Sequence, residues 1–242
     1  MISEAHIVPY SVSDLAPGPW LVFAPHADDE TFGMGGTLLR ARDAGIQVHL
    51  VIMTDGALGG QQDDLVRVRQ REAWAVAAAL GLASVFFLGE PDRGLVPQDA
   101  LVRVLADLIS ERAPACVFLP GMYEPHPDHR ATALLVWAAL QQLPEAQRPA
   151  AIAYEISVQN PVNRLVDITA QMPGKRALMM QYLSQLDENN YIEIVEAMNR
   201  LRTFSLPRQV SYAEGFYHFS RDELQQSLQE LLQRRVQRFF DA

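Results

Sequence analysis

The chain has a single cysteine, Cys116, among its 242 residues. One cysteine cannot form an intramolecular disulfide, which excludes a disulfide-stapled fold and favours a reducing compartment. Because Cys116 lies inside an apolar run, we expect a small core residue rather than a nucleophile. No apolar run approaches the roughly twenty residues that a bilayer-spanning helix needs, and residues 1–10 lack the pattern of a secretory signal. We therefore expect a cytoplasmic protein without a transmembrane segment.

Basic residues are scarce relative to acidic ones. The chain has 20 Lys and Arg against 29 Asp and Glu, a formal net charge of −9. This balance argues against a general nucleic-acid binder, which needs a basic surface for the phosphate backbone. Disorder is also excluded, since 49% of the residues are apolar, enough to build a core.

Short apolar runs alternate with helical patterns through the first two thirds of the chain. The runs predict strands over 20–24, 47–53, 84–88, 115–120 and 151–156. The segments between them predict helices over 37–44, 65–80, 98–112 and 131–142. Regular alternation of this kind implies right-handed crossovers between parallel strands. We predict an α/β, Rossmann-like three-layer fold with a mostly parallel sheet and a helical C-terminal extension.

The last third is less regular. Residues 165–168 predict an edge strand, 174–185 and 190–204 predict helices, and 215–219 predict a short strand. Leucines and phenylalanines at helical spacing predict one long amphipathic helix over 221–240. We expect a main domain at 1–220 and, at 221–242, a helix packed on that domain or on a partner subunit in a homo-oligomer. Peripheral membrane contact is the less favoured alternative, because glutamines and glutamates dilute the basic face.

One imidazole and three carboxylates crowd the exit of the first predicted strand, in the run Pro25-His26-Ala27-Asp28-Asp29-Glu30. In an open α/β sheet, ligands bind at the carboxyl ends of the strands. Titratable groups this close repel and desolvate one another unless a cation is present. The alternative is a helix N-terminus that simply carries acids. We interpret the run as half of a metal site.

A second cluster, His126-Pro127-Asp128-His129, follows the fourth predicted strand. Two strand-end loops of this kind can face each other across the switch point of a doubly wound sheet. The alternative is a proline-punctuated loop with Asp128 as a helix cap. Matching positions at two strand ends favour a shared metal site.

The two motifs together resemble the PIG-L/LmbE-like zinc deacetylases, which remove acetyl groups from N-acetylglucosamine-type substrates. The resemblance covers roughly residues 20–219. It continues through Thr54-Asp55-Gly56, Arg69-Gln70-Arg71-Glu72, Leu88-Gly89 with Asp92, Lys175-Arg176-Ala177-Leu178, Ser184-Gln185 and Ala213-Glu214-Gly215-Phe216. It implies a small amino-sugar or glycoconjugate substrate and hydrolysis of the amide through a metal-activated water.

The resemblance also implies roles for individual residues. The implied metal ligands are His26, Asp29 and His129; two imidazoles and a carboxylate suit zinc or ferrous iron. The implied catalytic residues are Asp28 as general base, His126 as the second catalytic imidazole, and Asp128 as the group that orients His126.

Supporting and substrate-binding roles are also expected. Glu30 is expected to contact a metal ligand rather than the metal, for instance by hydrogen-bonding a ligand histidine. The glycines at 33, 35 and 36 are expected to begin a helix whose amides face the substrate. Arg69, Asp55 and Asp92 are candidate substrate-binding residues. The alternatives are, for Arg69, a surface ion pair with Glu72 or a charge on the helix face and, for the two aspartates, turn or loop caps.

Some family members carry a tyrosine just before the histidine motif, whereas this chain has Glu124-Pro125 there, with Tyr123 one step further back. Glu124 could therefore bind a cationic or hydroxylated group of the substrate. Two other functions stay open. One is an amidase or other C–N hydrolase acting on a non-sugar amide. The other is a Rossmann-like nucleotide or phosphate-binding module whose acids hold magnesium, although histidines count against magnesium.

Overall fold

A single seven-stranded sheet organises the molecule. This computed structural model describes residues 7–61, 63–186 and 189–238, without the side chains of 235–238. The strands are β1 Trp20–Ala24, β2 Val48–Thr54, β3 Ser84–Glu90, β4 Cys116–Pro120, β5 Ala150–Tyr154, β6 Arg164–Asp167 and β7 Ala213–His218. Their spatial order is β3-β2-β1-β4-β5-β7-β6. The first five strands pair in parallel, and β7 is antiparallel to both β5 and β6.

Helices cover both faces of the sheet. They are α1 Asp29–Asp43, α2 Leu65–Leu80, α3 Asp99–Arg112, α4 Pro127–Gln142, α5 Met172–Met179, α6 Leu183–Leu186, α7 Tyr191–Leu201 and α8 Leu228–Arg238. Short 3-10 turns occur at Glu145–Gln147 and Glu223–Gln225. The α/β prediction, with its mostly parallel sheet, is confirmed. Among the described residues, no helix combines the length and apolar character that crossing a bilayer requires.

Alternate residues of each strand enter two separate cores. Along β1, Val22 belongs to the core under α1, α2, α5 and α7, whereas Leu21 belongs to the core under α3, α4 and α8. All five residues of β1 are buried. This burial on both faces is what helices packed on each side of a parallel sheet produce, and it explains why the strand reads as one continuous apolar run.

Two short strands complete the sheet in an order that chain position does not suggest. The edge strand predicted at 165–168 forms as β6. The strand predicted at 215–219 forms as β7 but inserts between β5 and β6 and runs antiparallel to them. An antiparallel strand in this position satisfies the free edge of β5 without another crossover helix.

Helix α1 begins earlier than predicted. The helix predicted from residue 37 begins at Asp29, and Met34 interrupts it with non-helical φ and ψ of −139° and 21°. Gly33, just before this interruption, packs tightly against the rest of the protein, since a Cβ there would lie 2.3 Å from the Glu155 carbonyl oxygen. The Gly36 N–H donates to Glu214 over 2.9 Å. The Gly36 amide therefore bonds to Glu214 rather than to a substrate, and Gly33 is required by the close packing of α1.

The predicted helix over 221–240 is broken in the structure. Two reciprocal capping boxes divide it: Ser220 with Glu223 precedes the 3-10 turn, and Ser227 with Glu230 precedes α8. Each serine hydroxyl accepts from the backbone of the glutamate three residues on, and each glutamate accepts from the serine N–H. The buried Leu228 and Leu231 of α8 lie in the core beside α4. Phe239 and Phe240 of the predicted helix lie outside the described residues.

Candidate metal centre and active site

The histidine motifs meet where the strand order reverses. His26 follows β1, and residues 124–129 follow β4, its parallel neighbour on the side opposite β2. Loops after neighbouring strands part at this point and leave a crevice. A cavity of about 360 Å³ opens there, lined among others by His26, Asp28, Asp29, Asp92, His126, His129 and Arg69. A larger hollow of about 520 Å³ lies beside the start of β5 and includes none of these residues.

Two of the implied metal ligands, His26 and His129, lie beside the same oxygen of the third, Asp29. Asp29 Oδ2 lies 3.1 Å from His26 Nδ1 and 3.3 Å from His129 Nε2. Asp29 and His129 occupy the first turns of α1 and α4, so two helix N-termini point their side chains into the same crevice. Helix α4 starts at Pro127, earlier than predicted, because proline is favoured in the first helical turn. All three side chains are at most 10% exposed.

The far nitrogen of His26 contacts carboxylates. His26 Nε2 lies 3.1 Å from Asp128 Oδ2 and 3.4 Å from Asp92 Oδ1. Asp128 Oδ2 is 4.0 Å from His126 Nδ1, too far for a hydrogen bond. The prediction that Asp128 orients His126 therefore stays a prediction: its backbone N–H reaches His126 Nδ1, while its carboxylate lies closer to His26. The physical reason is the α4 first turn, where the Asp128 N–H donates to His126 Nδ1 and the carboxylate turns toward β1.

The far nitrogen of His129 also contacts a carboxylate. His129 Nδ1 lies 3.3 Å from Glu124 Oε2, and the Glu124 side chain is fully buried. The cationic group that Glu124 binds is therefore the imidazole of His129, and Glu124 is absent from the described lining of the cavity that the substrate would enter. Burial alone would lower the pKa of His129, but Asp29 and Glu124 outweigh it and raise the pKa to about 9.

Asp28 is held in an unusual backbone conformation beside an arginine. Its φ of 147° lies in a region that residues with side chains rarely adopt, and such strain is concentrated at functional sites. Asp28 Oδ2 lies 3.3 Å from Arg69 Nη2. Burial raises the pKa of the Asp28 carboxyl to about 7, with the Arg69 guanidinium opposing that rise.

Arg69 is 3% exposed, so the alternative of a surface ion pair with Glu72 is wrong. Its guanidinium also donates to the carbonyl of Ala27, next to Asp28, over 3.1 Å. Gly56 allows this approach, since a Cβ there would lie 2.9 Å from Arg69 Nε. Glu72 instead accepts from the N–H and hydroxyl of Ser184.

His126 stands at the rim of the site. Its side chain is 31% exposed, and its ring centroid lies 4.8 Å from that of His26 and 5.0 Å from that of His129. Burial lowers the pKa of His126, and the neighbouring imidazoles lower it further. Because His126 Nδ1 accepts from the Asp128 N–H, the neutral ring carries its proton on Nε2, where it can donate a hydrogen bond.

Glu30 supports the site through a different partner from the one expected. Its Oε1 accepts from the hydroxyls of Tyr182 and Thr31, both over 2.6 Å, and its Oε2 accepts from the Asp28 N–H over 3.3 Å. Its hydrogen-bond partners among the described residues include no histidine. Glu30 therefore acts on the strained backbone of Asp28. Tyr182 is a partner that sequence reasoning missed, because nothing in its local pattern marks it.

Of the two roles considered for Asp55 and Asp92, loop capping and a place in the site, Asp55 has the first and Asp92 has both. Asp55 Oδ1 accepts from the N–H groups of Ala57 and Asp92, so this carboxylate caps loops, and Asp55 is absent from the described cavity lining. Asp92 does both: Oδ2 accepts from the Leu58 N–H, while Oδ1 reaches His26. The cavity lining also includes the apolar side chains of Phe32, Ile156, Tyr191, Ile194 and Val195, and sequence reasoning assigned none of these to the site.

The donor set fits a divalent transition metal. His26, His126 and His129 each offer a nitrogen within 4.8 Å of the others, and Asp29 adds a carboxylate between two of them. Burial alone would raise the pKa of Asp29, but the charge and hydrogen bonds of the imidazoles outweigh it and lower the pKa. Imidazole and carboxylate suit zinc or ferrous iron, whereas magnesium prefers oxygen ligands. His26 Nε2 and His129 Nδ1, the ring nitrogens that face away from Asp29, both contact carboxylates, which is the usual arrangement around metal-binding histidines.

Comparison with known proteins agrees with this geometry. Residues 21–140 match the family described as PIG-L: GlcNAc-PI de-N-acetylase. A probable N-acetyl-alpha-D-glucosaminyl L-malate deacetylase 2 of Bacillus anthracis is 32% identical over 142 residues, covering 53% of this chain and 62% of that protein. The match thus spans less than two thirds of that relative's length.

Two solved structures share the fold. N,N'-diacetylchitobiose deacetylase from Pyrococcus horikoshii, complexed with its inhibitor MPG, has a TM-score of 0.74 at 26% identity, over 84% of both chains. The conserved protein TT1542 from Thermus thermophilus has a TM-score of 0.73 at 31% identity, over 82% of this chain and 93% of that chain. The likeness therefore extends over most of the sheet and its helices.

Proposed function

The chain belongs to the PIG-L family, and on that premise we propose that it is a metal-dependent hydrolase that removes the N-acetyl group from an N-acetylglucosamine-type amino sugar or its conjugate. The observation that carries the proposal is the convergence of His26 Nδ1 and His129 Nε2 on Asp29 Oδ2, at a cavity that also contains Asp28 and His126. Amide hydrolysis needs a polarised carbonyl, a proton acceptor for water and a proton donor for the leaving amine.

His26, Asp29 and His129 would hold the metal, zinc or ferrous iron. When bound, such an ion polarises the acetamide carbonyl and lowers the pKa of a water. The chain's own contribution is to fix the three ligands: Asp128 and Asp92 contact the outer nitrogen of His26, and Glu124 contacts that of His129.

Asp28 is the proposed general base. Its carboxylate lines the cavity directly before the ligand Asp29, and Arg69 holds one of its oxygens at 3.3 Å. The positive φ separates the two neighbouring carboxylates, so that Asp29 reaches the histidines while Asp28 turns to Arg69. Glu30 fixes this conformation through the Asp28 N–H. A base held this rigidly accepts the proton of water without reorganising.

His126 is the proposed proton donor to the leaving amine. It is the most exposed imidazole of the cluster, at the rim where the amine departs. With Nδ1 accepting from the Asp128 N–H, the neutral ring carries its one proton on Nε2 and can donate a hydrogen bond from it. As the acid, His126 must be the imidazolium, which gives its Nε2 proton to the amine and is left as neutral imidazole. The same side chain can donate to the developing oxyanion.

The amino-sugar substrate is supported by the names of the relatives, which act on N-acetylglucosaminyl L-malate and diacetylchitobiose. The cavity lining combines charged side chains with the aromatic rings of Phe32 and Tyr191, whose centroids lie 5.5 Å apart. Aromatic side chains of this kind pack against the apolar face of a ring.

The test is amine release from a panel of N-acetylglucosamine derivatives and non-sugar acetamides. Protein stripped of metal would be assayed before and after zinc or ferrous iron is added back. We expect metal-dependent release from the sugars, reduced about 10²–10⁴-fold in Asp28→Asn, because a positioned general base contributes that much. Asp43→Asn, at an exposed carboxylate near the far end of α1, is the matched control and should retain full activity.

Three outcomes would count against the proposal. Amine release that persists undiminished in metal-free protein would remove the metal from the reaction. Unchanged turnover in Asp28→Asn would remove that residue as the base. Release from the non-sugar acetamides alone would replace the amino-sugar substrate with a different amide.

A further inference from the structure

Glu124 has an environment that differs from those of the other acids near the cavity. Its side chain is fully buried, and it is absent from the described cavity lining. Its Oε2 lies 3.3 Å from His129 Nδ1. On the opposite side of the ring, His129 Nε2 faces Asp29 at 3.3 Å. The imidazole is therefore clamped between two carboxylates, one facing the proposed metal position and one behind it.

Glu124 is itself fixed by the loop after β5. Its Oε1 accepts from the Ile156 N–H over 2.9 Å, and its Oε2 accepts from the Ser157 N–H over 3.0 Å. Asn160 Nδ2 approaches Oε1 at 3.5 Å. These donors come from the backbone and from an amide, so they do not neutralise the carboxylate as an arginine would. The charge of Glu124 stays available to the one titratable partner that it contacts among the described residues, His129.

We propose that Glu124 is a positioning residue for the metal: it fixes the ring orientation and the Nδ1–H tautomer of His129, so that Nε2 points at Asp29. The inference rests on the proposed function for the presence of a metal. A histidine ligand whose outer nitrogen donates to a carboxylate binds metal more tightly, because its orientation is fixed and its donor nitrogen is more basic. Removal of such a partner typically costs 10–100-fold in metal affinity.

The loop that holds Glu124 also connects the metal position to the apolar cavity wall. Glu155, in this loop, forms a buried ion pair with Arg202 just after α7, and Arg202 also donates to the Asn160 carbonyl. Ile156 of the same loop lines the cavity, as does Ile194 of α7. Glu124 is thus the point where the loop between β5 and β6 meets the metal ligands.

A purely structural role for Glu124 makes different predictions from a positioning role. If the carboxylate served only to cap the N–H groups of Ile156 and Ser157, its loss would lower stability and leave metal affinity unchanged. If it acts through His129, its loss weakens metal binding, and this effect disappears when the imidazole is absent. Interaction through a shared partner is what a double-mutant cycle measures.

The experiment measures zinc and cobalt dissociation constants of the full chain by competition with a chelator. Glu124→Gln keeps the shape of the side chain, and Glu124→Asp keeps its charge; His129→Ala is combined with Glu124→Gln to close the cycle. Glu72→Gln is the control: the half-buried Glu72 carboxylate also accepts a backbone N–H, that of Ser184, together with the Ser184 hydroxyl, and its hydrogen-bond partners among the described residues include no histidine. Thermal unfolding of metal-free protein separates loss of stability from loss of affinity.

We expect Glu124→Gln to weaken metal binding about 10–100-fold, Glu124→Asp to recover part of that loss, and Glu72→Gln to leave the affinity unchanged. In the His129→Ala background, the Glu124 substitution should change the affinity less than about twofold. A parental affinity in Glu124→Gln, or an equal loss in both backgrounds, overturns the inference. Tight metal binding without amine release would contradict the proposed function and leave the inference standing, whereas a parent chain that binds no metal overturns both.

Discussion

Replacing Lys175 with methionine tests how α1, the helix that carries the proposed metal ligand Asp29, is held in place. Lys175 Nζ donates to Glu214 Oε1 over 2.7 Å and to Asn199 Oδ1 over 2.9 Å, and both ends of the ion pair are fully buried. Glu214 in turn accepts from the N–H groups of Gly36 and Thr37, directly after the interruption in α1. The pair therefore connects α5, α7 and β7 to the helix whose first residue is the proposed ligand Asp29.

The size of the effect follows from the burial. Lys175→Met keeps the length and apolar stem of the side chain but leaves the Glu214 carboxylate buried with two backbone donors and no cation. Breaking a buried pair by removing one partner typically costs about 3–5 kcal/mol. For a chain of this size, each 1 kcal/mol lowers the unfolding midpoint by about 2–4 °C. We therefore expect the midpoint to fall by on the order of 10 °C.

The measurement is thermal and urea unfolding of metal-free protein, followed by circular dichroism. The adjacent Arg176 provides a matched control, since it also pairs with a glutamate, Glu196, but its side chain is 51% exposed. Arg176→Met should cost no more than about 1 kcal/mol, as for other exposed pairs. In Lys175→Met combined with Glu214→Gln, the buried charge is gone, so the total loss should be smaller than the sum of the single losses.

Either of two results would refute this reasoning. A loss below about 1 kcal/mol for Lys175→Met would mean that the buried carboxylate tolerates the absence of a cation. Strictly additive losses in the double variant would mean that Lys175 and Glu214 act independently, despite their contact.

Two further predictions concern single side chains. Asp128→Asn should weaken metal binding about 10–100-fold in a chelator competition, because Asp128 contacts His26. Unchanged affinity with reduced turnover would instead indicate that Asp128 acts through His126. Cys116 should resist a water-soluble thiol reagent near neutral pH until the protein is unfolded. The side chain is fully buried, and burial raises the pKa of its thiol to about 11. Rapid modification of the folded protein would contradict its place in the core.

Local patterns predicted the elements that depend on local interactions. β1 and α2 begin and end at the residues that the apolar runs and the Gly81 helix stop indicate. Both helices of the metal site begin earlier than predicted, at Asp29 and Pro127, because apolar periodicity does not register a polar first turn. The break before α8 was visible in the sequence as two Ser-x-x-Glu capping boxes, but the strong apolar period over 221–240 obscured it.

Partners distant in the chain were the least predictable. Asp128 lies two residues after His126 yet contacts His26, about a hundred positions earlier, because the first turn of α4 aims the carboxylate toward β1. Glu124 was noticed as a departure from the family pattern, but its orientation depends on N–H groups after β5. Arg69 was predicted from the resemblance as a substrate-binding candidate, but local pattern could not distinguish that from a helix-face charge, and its partner Asp28 is defined only by the tertiary contact.

The sequence by itself determined the fold class and the position of the site. Strand-length apolar runs bury both faces of a parallel sheet, and polar residues after β1 and β4 then meet at its carboxyl edge. Tertiary structure decided which nitrogen of each histidine faces which carboxylate, and which acids face the cavity rather than the interior. The physical reason is that hydrogen bonds and ion pairs act over about 3–4 Å, a scale set by the packing of helices and loops rather than by residue spacing.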